Sequence, residues 1–241
     1  MPTTTNNRSA EAAPHRPSLV IAVIFWLVYL LPGSTVPFWP KGSSGVLCMW
    51  AANLFEIAIG LWFVRRYYRD RVDLFSSKGW SLALLLCCWL IALGLSISRV
   101  RWIPLSHLHF GIVVQHLLLF CLVGYAEELG FRGVWFAHFP QRPVFSILAG
   151  SLLFGLWHLH VDQPSAIIAF LVGLLFAVTR YRGASILVLA VAHGLIDFVD
   201  GWLAPATGFP LSLAITLIIA VFGYLILLAL LFWVPRRGKE V

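Results

Sequence analysis

The segment AEELGFRG holds the residues of this 241-residue chain whose types and spacing point most directly to chemistry. Glu128 and Arg132 are four residues apart, so on a helix they lie on one face and can form an ion pair. Glu127 lies about 100° around the helix from Glu128, so that pair does not occupy it. The spacing predicts one carboxylate held by a local cation and one free to contact water, although the same charges also fit a helix end at the lipid headgroups.

Two further apolar segments carry histidines with similar potential. His193 and Asp197 are four residues apart, an arrangement in which the carboxylate fixes the tautomer of the imidazole or shares a proton with it. A third segment carries His158, and two histidines with a carboxylate make a complete ligand set for a catalytic zinc ion. That set would be Glu127, His158 and His193. An HExxH helix is absent and Arg132 would oppose a divalent cation, so a site without a cofactor is favoured and zinc is the alternative.

These residues lie in a chain whose composition is typical of a membrane protein. Hydrophobic residues make up 60% of it and charged residues 11%, and the mean hydropathy is +0.89, which excludes an ordinary soluble domain. The net charge of +7 is spread between apolar runs, so nucleic acid is not expected as a partner. Charges, prolines and glycines divide the chain into eight predicted membrane helices, near 18–31, 45–64, 80–98, 112–139, 143–161, 164–180, 183–200 and 210–234.

The basic residues predict how these helices are oriented. With the N-terminus inside, 14 of the 17 Lys and Arg residues lie on the cytoplasmic side and 3 on the other. The predicted fold is an all-α polytopic membrane protein of about eight helices with both termini cytoplasmic. Residues 1–17 are expected to form a disordered polar tail and residues 18–241 a single transmembrane domain, in the plasma (inner) membrane if the chain is prokaryotic.

The rise per residue of an α-helix places Glu127, His158 and His193 at a similar depth in the membrane. At 1.5 Å per residue, Glu127 lies ~18 Å from the cytoplasmic end of a fourth helix that continues to about Phe139. The same rise places His158 ~22 Å deep and His193 ~15 Å deep. A fourth helix that stopped at the carboxylates would leave both histidines without partners in hydrocarbon. We therefore expect a long fourth helix and a conical polar cavity near the midplane of the bilayer.

The other polar residues of the apolar runs have simpler interpretations. Asn53 and Glu56, three apart in the second helix, fit interhelical hydrogen bonding. His160 follows His158 by two residues and so lies on a different helix face, which places it outside the site. We interpret the remaining intramembrane histidines and the cysteines as ordinary buried residues, namely His107, His109, His116, His138, Cys48, Cys87, Cys88 and Cys121.

Together, the three segments resemble the CPBP family of CAAX proteases and bacteriocin-processing enzymes, also called Abi proteins. That family is marked by EExxxR, FxxxH, and HxxxN or HxxxD on separate membrane helices. In this chain the motifs read Glu127-Glu128-Leu-Gly-Phe-Arg132, Phe154-Gly-Leu-Trp-His158 and His193-Gly-Leu-Ile-Asp197. The resemblance covers roughly residues 110–200, which we take as the catalytic core.

The resemblance implies an intramembrane endopeptidase in which a carboxylate-activated water attacks a peptide carbonyl. Carried over to this chain, Glu127 would be the general base on the water. His158 would orient Glu127 or share its proton. Glu128 and Arg132 would hold the site, with Phe154 as a supporting residue.

The third motif departs from the family members that carry Asn at its last position. In the mechanism that the resemblance implies, His193 and the residue at 197 would stabilise the oxyanion, and an ionised carboxylate cannot donate a hydrogen bond. We therefore expect Asp197 to be protonated or to act indirectly by holding His193.

Two other classes of function are compatible with the same residues. Intramembrane Glu, His and Asp also form proton relays in transporters, although the internal repeats common in transporter sequences do not occur here. A membrane immunity or scaffold protein would keep the fold without the chemistry. For the protease, the expected partners are the lipid bilayer and a membrane-associated or lipidated protein or peptide, cut near its end by a glutamic-type enzyme or by its zinc-dependent counterpart.

Overall fold

The structure, a computed structural model, describes residues 16–35, 40, 42–76, 109–160 and 163–199. Within these ranges the regular elements are all helical, which confirms the predicted all-α class. The six helices described are α1 (Leu19–Ser34), α2 (Ser43–Tyr67), α3 (Phe110–His138), α4 (Pro143–Trp157), α5 (Gln163–Tyr181) and α6 (Ile186–Asp197). The predicted helices 80–98 and 210–234 and most of the tail 1–17 lie outside the described residues, so the count of eight and the side of the termini stay predictions.

Three of the described helical segments are long and apolar enough to cross a membrane. They are α2, α3 and the segment Pro143–His160, which is α4 with the 3-10 turn that follows it. The other three described helices are shorter and also apolar. Large aliphatic side chains such as Leu27, Leu47 and Leu118 are more than half exposed, as expected for helix faces that contact acyl chains. The chain is an integral membrane protein.

Helix α1 is longer than the sequence predicted, because Pro32 does not end it. Ser18 caps its N-terminus by accepting a hydrogen bond from the Ile21 amide at 3.3 Å. The helix then continues through Pro32 to Ser34, so the predicted end at residue 31 was wrong. At its C-terminus the hydroxyl of Thr35 donates to the Pro32 carbonyl at 2.7 Å and satisfies one of the last carbonyls of the helix.

Helix α3 runs past the carboxylates to His138, which confirms the long fourth helix of the prediction. It is α-helical from Phe110 to Glu128, forms a π-helical segment over Leu129–Val134, and returns to α-helix over Trp135–His138. All six residues of the π segment are buried. The sequence pattern did not predict this segment, which begins directly after the two carboxylates and widens the helix at that point.

The connection between α5 and α6 is a short structured turn. Gly183 adopts a positive φ of 101°, a left-handed conformation that ends α5 at little steric cost. Ser185 then caps α6 by accepting a hydrogen bond from the Val188 amide at 3.3 Å. As a result α6 begins at Ile186, three residues later than predicted.

The helices pack so that the three sequence motifs meet. Helix α3 packs mainly against α6, and α4 packs mainly against α5, while α2 covers another face of α3. A core of aromatic and aliphatic side chains joins α1, α2 and α3, and it includes Phe25, Tyr29, Phe63 and Leu129. Glu127 and Glu128 of α3 therefore lie beside α6, which carries His193.

Candidate active site

Glu128 and Arg132 form the ion pair that their spacing predicted. Arg132 Nη1 lies 3.0 Å from Glu128 Oε1, and the two side chains are 1% and 0% exposed. The Arg132 guanidinium also lies over the ring of Phe154, with Cζ 4.3 Å from the ring centroid. Since two charges this deeply buried are tolerated only as partners, each holds the other in place.

His193 lies among three carboxylates. Its Nδ1 is 2.9 Å from Glu128 Oε1, while its Nε2 is 3.5 Å from both Glu127 Oε2 and Asp197 Oδ2. Because an ionised carboxylate only accepts hydrogen bonds, Nδ1 carries a proton and donates it to Glu128. We expected Asp197 to fix the tautomer, but Glu128 from α3 does so, and Asp197 faces the other nitrogen.

The three carboxylates differ in the exposed fraction of their side chains. Glu128 is fully buried, whereas the side chain of Glu127 is 17% exposed and that of Asp197 is 32% exposed. Glu127 Oε2 has no hydrogen-bond partner among the described residues. The side chain of Glu127 is thus partly accessible, whereas its Oε2 atom is buried beside His193 Nε2 and makes no hydrogen bond with the described residues.

His158 joins the cluster from the end of α4, where the chain enters a 3-10 turn. Its Nδ1 lies 2.9 Å from the backbone carbonyl of Phe154, to which it donates, so Nε2 keeps a free lone pair in the neutral ring. His158 interacts electrostatically with Asp197 and His193. The structure thus brings together Glu127, His158, His193 and Asp197 with the supporting residues Glu128, Arg132 and Phe154.

Aromatic rings enclose the polar groups. Phe154, which is 1% exposed, packs edge-on against the rings of His158 and His193 at 4.6 and 5.6 Å between centroids. Phe176 of α5 lies 5.5 Å from His193 and 6.0 Å from the Arg132 guanidinium. The sequence analysis missed Phe176, because one phenylalanine in an apolar helix carries no signal that separates it from the lipid-facing ones.

Two glycines allow α3 and α6 to approach closely beside the carboxylates. A Cβ added at Gly124 would lie 2.6 Å from the Ala190 carbonyl oxygen, and one at Gly194 would lie 2.5 Å from Cys121 Cα. Small residues of this kind let helix backbones touch within a membrane. The sequence analysis missed these glycines, although Gly194 follows His193 directly and Gly124 precedes Glu127 by three residues.

Helices α1 and α2 contribute polar groups at the same level. Tyr29 donates from its hydroxyl to the carbonyl of Ala126, next to Glu127. Glu56 is 8% exposed, accepts a hydrogen bond from the Gly33 backbone and interacts electrostatically with Glu127. Glu56 therefore makes the predicted interhelical hydrogen bond, whereas Asn53 donates within its own helix, to the Met49 carbonyl at 2.8 Å.

The other histidines and cysteines were interpreted as ordinary buried residues, which was wrong for those described: His109 is exposed, and His116, His138, Cys48 and Cys121 are half-buried. His116 bonds the Ile112 carbonyl at 2.9 Å and His138 bonds Tyr68, whereas His109 is exposed at the start of α3. His160 bonds the Trp157 carbonyl at 2.6 Å. Cys48 and Cys121 are free thiols, whereas His107, Cys87 and Cys88 lie outside the described residues.

The zinc set considered from the sequence is not assembled. In the described part of the chain, no group of three or more His, Cys, Asp and Glu side chains is arranged to hold a metal ion. Both ring nitrogens of His193 face carboxylates, and the Arg132 cation lies beside one of them. Glu127, His158 and His193 as placed therefore do not fit a zinc ion.

Residues 109–199 match the family model of the type II CAAX prenyl endopeptidase Rce1-like family. The matched range contains all three motifs and covers α3 to α6. The match confirms the resemblance to the CPBP family that the motifs indicated, and it supports a protease. No curated protein and no solved structure matches the chain.

Proposed function

We propose, from the premise that residues 109–199 form a domain of the Rce1-like CAAX endopeptidase family, that this chain is an intramembrane endopeptidase of the glutamic type. It hydrolyses a peptide bond near the end of a membrane-associated or lipidated protein. The observation that carries the proposal is the contact of Glu127 with His193, in a cluster where Glu128, Arg132 and His193 are buried and in contact with one another.

Glu127 acts as the general base. Its partly exposed carboxylate takes a proton from a water molecule, whose oxygen then attacks the carbonyl carbon of the substrate. The carbonyl π bond breaks as the new bond forms, and its electron pair moves to the oxygen. The partial burial of Glu127 supports this role, because a carboxylate with few competing waters is a stronger base.

His158 orients the attacking water. Its Nδ1 proton is held by the Phe154 carbonyl, so the lone pair of Nε2 can accept a hydrogen bond from the water. The other proton of that water is then directed to Glu127. A fixed ring that packs against Phe154 reduces the entropy lost when the water is held for attack.

His193 stabilises the oxyanion from Nε2. Since Nδ1 already donates to Glu128, Nε2 donates only when the ring is the imidazolium, and Glu128 compensates that charge. Arg132 contacts the same Glu128 Oε1 atom, so Glu128 shares its negative charge between the two cations. One donor aimed at a developing oxyanion contributes roughly 3–4 kcal/mol to transition-state stabilisation in other proteases.

Collapse of the tetrahedral intermediate completes the reaction. The C–N bond breaks, its electron pair leaves with the nitrogen, and the proton held by Glu127 passes to the departing amine. Glu127 returns to its ionised form. Asp197, 3.5 Å from His193 Nε2, holds that ring between substrates.

The substrate class follows from the depth of the cluster and from the family. Glu127 precedes the end of α3 by eleven residues, which is ~16 Å at the rise of an α-helix, so the scissile bond must enter the bilayer. A lipid or a short apolar segment that anchors a peptide already holds its end at that depth, so no further free energy is needed to transfer it into the bilayer. The family description names prenylated CAAX proteins, and we propose that class as the first substrates to test, with the plasma membrane as the site.

Substitution of Glu127 by Gln tests the assignment directly. The amide keeps the size of the side chain but removes the base, so cleavage of a co-expressed prenylated substrate should fall by at least about 10³-fold. The variant should accumulate in the membrane at the wild-type level. As a matched control, Glu56→Gln removes another carboxylate at the same depth and should keep measurable cleavage. Wild-type cleavage by Glu127→Gln would refute the mechanism.

Metal dependence is tested separately with the purified protein. A reaction driven by Glu127 and His158 should continue in excess chelator at a rate within about twofold of the untreated enzyme. Full loss of activity that returns on addition of zinc would contradict the glutamic mechanism and favour the zinc-dependent alternative.

A further inference from the structure

A cavity outside the candidate active site lies where the chain enters α1, beside the turn between α3 and α4. Its volume is about 420 Å³, and its lining includes Arg16, Leu19, His138, Phe139 and Arg142. None of the described residues that line it carries a carboxylate. The cavity therefore combines two guanidinium groups with apolar walls.

The cationic groups of this cavity are available to a ligand. Arg16 and Arg142 are both exposed, and neither forms an ion pair within the described part of the chain. Arg142 also precedes the first turn of α4, whose free backbone amides and helix dipole favour an anion. Two cations thus line one space, and none of the described residues that line it carries a negative charge.

His138 adds a donor to the same cavity. Burial raises the pKa of Tyr68 to about 12, so its hydroxyl stays protonated and donates to His138 Nδ1 at 2.6 Å. With Nδ1 as an acceptor, Nε2 of the neutral ring carries the proton. Arg16 interacts electrostatically with both Tyr68 and His138, which places the three groups together.

The cavity lies at the end of the bundle where lipid headgroups are expected. The hydrogen bond between Tyr68 and His138 joins the ends of α2 and α3, and α2 carries Arg65 and Arg66 in its last turn. The distribution of basic residues predicts that this end faces the cytoplasm. Leu19 is 72% exposed and begins the apolar outer face of α1, so an acyl chain can continue along the helix from the cavity.

We propose that this cavity binds the phosphate of an anionic phospholipid of the cytoplasmic leaflet, with its acyl chains against the outer face of α1. The guanidinium groups of Arg16 and Arg142 and the Nε2 proton of His138 donate to the phosphate oxygens. The apolar lining continuous with α1 favours a lipid over free phosphate, because free phosphate would leave Leu19 and Phe139 in contact with water.

Native mass spectrometry of the delipidated full chain in neutral detergent tests this site. The ligands are dioleoyl phosphatidylglycerol, dioleoyl phosphatidylcholine and inorganic phosphate. The wild-type protein should bind one phosphatidylglycerol with a Kd at least tenfold lower than that for phosphatidylcholine. Inorganic phosphate should not displace it at equal concentration, and displacement there would assign the site to free phosphate and overturn the lipid.

Matched variants separate this cavity from general surface charge. The double variant Arg16→Gln/Arg142→Gln should bind phosphatidylglycerol at least tenfold more weakly. The control Arg65→Gln/Arg69→Gln removes the same charge from exposed positions at the same end of the bundle and should stay within threefold of wild type. Equal weakening in both pairs would overturn the proposal.

A conservative pair keeps the test decisive if the double Gln variant does not fold. Arg16→Lys/Arg142→Lys keeps both charges and should bind within fivefold of wild type, whereas each single Arg→Gln substitution should weaken binding at least threefold. Single variants that bind as wild type does would refute the site. None of these measurements uses cleavage, so they stand whether or not the proposed function is correct.

Discussion

The cluster between α3, α4 and α6 has an inner group, formed by Glu128, Arg132 and His193, and an outer group, formed by Glu127 and Asp197. The side chains of the inner group are almost completely buried and contact one another at 2.9 to 3.0 Å. The outer carboxylates are partly exposed and approach His193 only to 3.5 Å. The inner group thus has the geometry of a rigid support, and the outer group has the access that a reaction with water requires.

Arg132→Met gives the largest expected effect, on the inner group. The substitution keeps an unbranched apolar side chain but leaves Glu128 as a buried charge without its cation, so the free energy of unfolding should fall by about 3–5 kcal/mol. Reversible unfolding in mixed detergent micelles measures this free energy. Arg65→Met, at an exposed position, is the control and should change the same quantity by less than about 0.5 kcal/mol. Equal stability of the two variants would mean that the inner group is not a support.

Gly124→Ala tests whether the inner group depends on the contact between α3 and α6. The added Cβ would lie 2.6 Å from the Ala190 carbonyl oxygen, so the helices must separate and His193 must shift from Glu128. We expect kcat to fall by about 100-fold, which is typical of a displacement of about 1 Å at a reacting group.

Gly111→Ala is the matched control for that substitution. It lies in the same helix, and a Cβ added there meets nothing within 4 Å. Its kcat should equal that of the wild type. A Gly124→Ala variant with wild-type kcat would show that the close helix contact does not position the site.

Asp197→Asn gives the smallest expected effect and separates the two outer carboxylates. The amide oxygen can still accept from His193 Nε2, and the amide N–H can donate to an oxyanion, so kcat should stay within about tenfold of wild type. The measurement is cleavage at matched expression, beside Glu127→Gln. If Asp197→Asn abolished cleavage as completely as Glu127→Gln, the proposal that Glu127 is the base and that Asp197 only holds His193 would be wrong.

Local spacing predicted the parts of the site that belong to one helix. Glu128 and Arg132 pair as four-residue spacing requires, and the depth argument correctly carried the fourth helix past the carboxylates. Two local features of the helices were not predicted from residue spacing. Helix α1 continues past Pro32 to Ser34, and the π segment of α3 has no signature in the apolar pattern.

Contacts between helices lay beyond local spacing. The sequence places Asp197 one turn from His193, yet Nδ1 of that ring is bound by Glu128, which is 65 residues away in the chain. Phe176 and Gly124 gain their roles only from what lies opposite them on another helix. No periodicity within one segment carries that information.

The sequence by itself determined that this chain is a helical membrane protein. It also determined which few ionisable residues lie within the apolar segments. Those features follow from composition and from the periodicity of one helix, which act over a few residues. Only the tertiary structure decided which carboxylate holds His193 and which two remain open to water. That choice depends on how closely α3 and α6 approach, and the approach is set by Gly124 and Gly194, which meet only when the helices pack.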